Sequence, residues 1–111
     1  MTRVSFFDGG GRITGFRCQG HSGFSAAGTD IVCAAVTALI RMTECTLNDV
    51  CGSGAQVQVD QDAAAISLRL PAQCGEEDTV QAVLAGLMLT LSSLRDEYPD
   101  HLEVMEVQHN A

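Results

Sequence analysis

The sequence predicts an α+β two-layer sandwich in ββαββαβ order, with two helices packed on a mostly antiparallel sheet. Three observations predict it. Short apolar segments come in pairs joined by glycine- or aspartate-rich turns. Two long segments carry apolar residues at helical spacing. No repeat, linker or low-complexity stretch interrupts residues 1–111, so the chain reads as one domain.

Val4 to Phe7 is the first strand, "DGGGR" at 8–12 is a turn, and Ile13 to Gly20 is the second strand, so the two form a hairpin. Small residues with two glycines, Gly23 and Gly28, fill the stretch from Ser22 to Thr29, which reads as a loop. Asp30 suits a helix N-cap, and from Ile31 the chain is apolar on nearly every side through Ile40. Leu39, Met42, Leu47 and Val50 then follow at near-helical spacing, and Gly52 fits the position just past the helix end. Val57 and Val59, then Ile66, Leu68 and Leu70, alternate with period two about a turn at 60–62, a second hairpin. The second helix opens at "CGEED", its acidic residues near the positive end, and carries the stripe Val80, Val83, Leu84, Leu87, Leu91 and Leu94. Pro99 lies beyond its end, and Leu102 to Val107 is the last strand.

Composition narrows the function. Fourteen acidic residues against six basic ones give a formal charge of −8. That balance disfavours direct nucleic-acid binding, which calls for a Lys/Arg patch, and suits either solubility or a basic partner. The N-terminus lacks the apolar core of a secretory signal. The run "IVCAAVTALI" stops at Arg41, short for a membrane helix and right for a buried one, so no membrane association is expected. Five cysteines at irregular spacing read as free thiols in a reducing compartment, which places the chain in the cytoplasm.

The stretch "GHSGFSAAGTDIVCAAV" at 20–36 carries the candidate chemistry. With Asp30 at the cap, Cys33 falls in the first helical turn, where unpaired amides and the helix dipole favour a thiolate; burial or the charge of Asp30 works the other way. His21 ends the second strand, and a nucleophilic thiol needs such a base within hydrogen-bond reach. The loop between them, with Ser22, Gly23 and Gly28, is placed to close over an extended peptide and offer backbone N–H groups to an oxyanion. A plainer reading stands beside each. Cys33, like Cys18, Cys45, Cys51 and Cys74, suits a small core residue. His21 suits a surface or capping residue, Asp30 a helix cap, and Thr37 a helix-face hydroxyl. Cys18 and His21, three apart on a strand, point to opposite faces, which argues against a metal site, and no cofactor is expected. His101 and His109 read as surface residues, and Ser22 and Ser25 lack a nucleophile elbow.

"GHSGFSAAGTDIVCAAVTAL" resembles the ribosomal-processing cysteine protease family, Prp. Members carry a Gly-His pair, a small-residue loop, and then Gly-x-Asp-Ile-Val-Cys-Ala-Ala-Val-Ser. Length and element order extend the resemblance over nearly the whole chain. It implies a homodimer that removes a short N-terminal extension from large-subunit ribosomal protein number twenty-seven after a pair of aromatic residues. It assigns Cys33 as nucleophile, His21 as general base, and Asp30 and Thr37 as supporting residues. Ser22 stands where Ala is common, and Thr37 replaces Ser while keeping a hydroxyl. The competing class is a non-catalytic, acidic, ribosome-associated binding module in which the first helix is only core. A redox-sensing role would need a resolving thiol near Cys33, and none is apparent in the sequence.

Overall fold

The computed structural model describes residues 1–20 and 27–108, with the backbone alone at 27–30. Its elements are β1 (Thr2–Gly9), β2 (Arg12–Gln19), α1 (Ala27–Cys45) running into a π-helical turn (Thr46–Val50), β3 (Gln56–Asp60), β4 (Ala65–Arg69), α2 (Glu77–Glu97) and β5 (Leu102–Gln108). The strands form one sheet in the order β3-β4-β2-β1-β5. Both expected hairpins form, and β2 pairs antiparallel with β4. The exception is β5, which lies parallel to β1, since the chain returns to the sheet through α2.

Side-chain alternation gives the sheet one apolar face. Val4 pairs with Cys18, Phe6 with Phe16, and Phe16 with Leu68, and all five are buried. The Phe6 and Phe16 rings meet with centroids 5.9 Å apart. Val32, Val36, Ile40 and Leu47 of α1 and its π-helical turn, and Val80, Leu84, Leu87 and Leu91 of α2, complete the same core. The two helices therefore form one layer and the sheet the other, and the α2 stripe belongs to the core.

The start of the first helix differs from the sequence reading. Helix α1 begins at Ala27, three residues before Asp30, so Asp30 is a helical residue and not the cap. Ala27 is a strong helix former, and Gly28 and Thr29 are tolerated in a first turn, so the helix extends back over small residues that look like loop. At the other end, Cys51 closes the helix and Gly52, at φ +64°, takes the left-handed position, as its sequence context suggests.

The outward face of α1 differs too. Met42 and Ile31 are 60% and 55% exposed, and Cys45 is exposed as well, not a core residue. Residues 31, 42 and 45 fall on one line of a 3.6-residue helix, opposite the line through Val32, Val36 and Ile40 that meets the sheet. The stretch Ile31–Val50 has the length and mean hydropathy, 1.3, of a membrane-crossing helix. Here its inner side packs on the sheet with Thr43 buried among the apolar residues, which is the arrangement of a core helix.

Candidate active site

Cys33 sits where the core face of α1 meets its flank. It is 6% exposed and lies in the second helical turn, because α1 starts at Ala27. That corrects the first-turn placement. The unpaired amides belong to the opening turn, and the dipole's influence fades beyond it, so the helix start gives Cys33 little of the expected activation.

Thr37, Arg41 and Glu44 continue up the same flank at helical spacing. With Cys33 they form one wall of a groove whose other wall is the β3–β4 hairpin, at Val59, Asp60, Gln61, Ala64 and Ala65. Cys18, Thr2, Val36, Ile40 and Ile66 form its floor. The groove encloses about 490 Å³ and its lining is mostly apolar. Val59 is 66% exposed although it points to the same side as Ile66. The edge strand β3 runs past the helices, so Val59 faces the open groove and not the core. Thr37 is exposed beside Cys33, one turn on, and borders a second, shallower cavity outside the thiol with Ala34, Ala38 and Arg41.

Thr2 is the site residue that motif reading missed. It is 3% exposed, and its Oγ1 lies 3.8 Å from Cys33 Sγ. Its backbone amide donates to the His101 carbonyl at 3.0 Å, which fixes the start of β1 beside β5. Strand parity could have indicated its direction, since Thr2, Val4 and Phe6 share a face; only the packing of α1 shows what it meets. Cys18, next to the last residue of β2, is the other. Burial, then the nearby charge of Cys33, pushes its thiol up to about 11.

His21, Ser22 and Gly23 lie outside the described residues, as does Ser25; Gly28 is in the opening turn of α1, and Asp30 is described by its backbone only. Among the described residues no group of three or more His, Cys, Asp or Glu is arranged to hold a metal ion. His101 is half-buried, with its carbonyl bound to Thr2, and His109 lies outside the described residues.

A thiol at the head of an open apolar groove is suited to attack on a bound acyl group, the chemistry of a thiol hydrolase. The family described as cysteine protease Prp matches residues 1–103, and the chain belongs to that family, as a cysteine protease. A Bacillus subtilis relative, a ribosomal processing cysteine protease Prp, is 26% identical over 94 residues, 83% of this chain and 84% of the relative. A Streptococcus mutans structure superposes with TM-score 0.90 at 22% identity, covering 98% of this chain and 96% of its own. The essential ribosomal processing protease Prp of S. aureus, solved in complex with a substrate peptide, superposes with TM-score 0.85 at 18% identity over 96% of this chain and all of its own. These two superpositions show that the fold is shared.

Proposed function

We propose that this cysteine protease removes the N-terminal extension of large-subunit ribosomal protein number twenty-seven in the cytoplasm, supporting ribosome assembly. The observation that carries the reading is Cys33 at the head of the groove between α1 and the β3–β4 hairpin, in a chain matched to the family over residues 1–103. In this reading Cys33 attacks the scissile carbonyl. His21 takes the thiol proton and returns it to the leaving amine, and water then releases the acyl group. Asp30 and Thr37 support the pair, and the segment containing Ser22, Gly23 and Gly28 contacts the peptide. The groove's apolar floor suits bulky apolar side chains beside the cleaved bond. The acidic surface suits a basic ribosomal-protein tail, since complementary charge speeds encounter.

Pairing of two copies belongs to the same proposal. The α2 stripe is taken up by the core. Ile31 and Met42, exposed three turns apart on the outward line of α1, are the support for a surface there. Light scattering on the wild type and on Ile31→Glu/Met42→Glu tests it: a dimer that the double variant turns into a monomer is expected, and a monomeric wild type overturns it.

The function is tested with a peptide spanning the ribosomal protein's N-terminal extension, incubated with wild type, Cys33→Ala and His21→Ala and read by mass spectrometry. Cleavage after the aromatic pair by wild type alone is expected. Equal cleavage by Cys33→Ala or His21→Ala overturns the assignment of that residue. No cleavage by folded wild type leaves the binding-module reading.

A further inference from the structure

The groove holds two thiols, and a thiol protease needs one. Cys33 is on α1, Cys18 is on β2, both are buried, and both line the same cavity. Thr2 locates them relative to each other. Its hydroxyl touches Cys33 Sγ at 3.8 Å. On the sheet it is two residues from Val4, whose cross-strand partner is Cys18. Residues in that diagonal relation on one face lie about 7 Å apart. The Cys18 side chain therefore comes up from the sheet beside the residue that Cys33 reaches down to from the helix. The electrostatic effect of Cys33 on Cys18 is a second sign of this closeness. The other cysteines are elsewhere: Cys45 is on the outward line of α1, Cys51 follows the π-helical turn, and the Cys74 thiol donates to the Glu77 carboxylate at 2.8 Å.

We infer that Cys18 is a resolving thiol for Cys33, so that hydrogen peroxide converts the pair into a reversible Cys18–Cys33 disulfide. The Cys33 thiolate attacks one peroxide oxygen, the O–O bond breaks, the departing hydroxide leaves as water, and Cys33 becomes a sulfenic acid. The Cys18 sulfur then attacks the Cys33 sulfur, and the sulfenic oxygen departs as water with the Cys18 proton. In total two thiols and one hydrogen peroxide give one disulfide and two waters. The open groove gives a molecule as small as hydrogen peroxide a path to both sulfurs. Cys33 also borders the outer cavity beside Thr37, which Cys18 does not, and burial holds the Cys18 thiol protonated, so Cys33 is the sulfur that a peroxide meets first. The bond ties the end of β2 to the second turn of α1 and removes the sulfur that the proposed hydrolysis uses. Only that loss of activity rests on the proposed function; the bond itself does not.

The sequence makes the test direct. Arginines 17 and 41 bound a single tryptic peptide, residues 18–41, that contains Cys18 and Cys33 and no other cysteine. Cys45 and Cys51 fall in peptide 42–69, and Cys74 in 70–95. The folded protein is treated with hydrogen peroxide, its remaining thiols are blocked, and it is digested. The expected result is peptide 18–41 lighter by two hydrogens and unalkylated, returning to two alkylated cysteines after dithiothreitol. Cys18→Ala is expected to give instead a Cys33 that dimedone labels, several-fold more than in wild type. Peptide 18–41 emerging with both cysteines alkylated, or with Cys33 oxidised and Cys18 alkylated, overturns the inference. Should Cys18→Ala fail to fold, the wild-type peptide decides alone. Cleavage activity is followed in parallel: a disulfide that forms without loss of cleavage overturns the role of Cys33 as nucleophile and leaves the thiol pair standing.

Discussion

The Thr2 hydroxyl and the Cys33 sulfur, 31 positions apart in the chain, lie 3.8 Å from each other in a buried contact. The threonine is held from its other side by the bond between its amide and the His101 carbonyl, so the hydroxyl has a fixed origin. Either atom can be the donor in this contact; once Cys33 has given up its proton to attack, only the Thr2 hydroxyl can donate, and it then fixes the rotamer from which the sulfur attacks. Thr2→Val keeps the shape and removes the donor. Alkylation of Cys33 at neutral pH and peptide cleavage should both slow by about ten-fold, the worth of one hydrogen bond to a charged group. Thr2→Ser should restore them. Unchanged rates in Thr2→Val would show the contact to be packing only.

The sequence carries this site unevenly. Cys33 and His21 belong to one continuous motif, so spacing and resemblance find them. Thr2, Cys18 and Val59 come from three strands, and their lining one groove with Cys33 depends on how α1 lies across the sheet. The hairpins were legible because each is a local pair with its turn residues in place. The parallel pairing of β5 with β1 was not, since residue spacing says nothing about which edge a strand joins after a helix. Cys45 and Met42 show the same limit on a helix. An apolar run supplies residues for every side, and only packing shows which side is covered.

Two glycines of the first hairpin should behave very differently. A methyl group on Gly15 would overlap the Leu68 carbonyl oxygen, where β2 and β4 approach closely. Gly10, in the turn, has open space around it and a φ of +61°. Gly15→Ala must displace backbone in the centre of the sheet and should cost about 3 kcal/mol or more. Gly10→Ala meets conformational strain only and should cost about 1 kcal/mol. Urea titrations of the two variants check the order. Equal losses would mean that β4 gives way easily at Leu68.

Acid should loosen the attachment of α2 to the first hairpin. Arg12 Nε donates to Glu77 Oε1 at 2.7 Å, and the Cys74 thiol donates to Glu77 Oε2 at 2.8 Å. The Arg12 hydrogen bond, then that of Cys74, holds the Glu77 carboxyl below its usual value of 4.5. A carboxylate depressed in the folded state adds stability that is complete above the unfolded value and lost as pH falls through the folded one. The pair is partly exposed, so solvent screening limits the effect to about 0.5 kcal/mol. The difference in melting temperature between wild type and Glu77→Gln should therefore shrink between neutral pH and values below 4.5. A constant difference would remove the ion pair as its source.

Asp30 separates a structural role from a chemical one. An N-cap aspartate replaced by alanine costs about 1 kcal/mol. Asp30 is instead the fourth residue of α1, so Asp30→Ala gains helix propensity and loses a favourable dipole interaction of similar size. Its unfolding free energy should stay within about 0.5 kcal/mol of wild type. Cleavage of the ribosomal-protein peptide should nonetheless fall several-fold, because the proposed function gives this carboxylate a supporting role beside Cys33 and His21. A stable variant with full activity would make Asp30 an ordinary first-turn acid. A loss of stability matching that of a missing cap would mean that α1 begins at Asp30 in solution, and would return Cys33 to the first turn, where the helix dipole could act on its thiol.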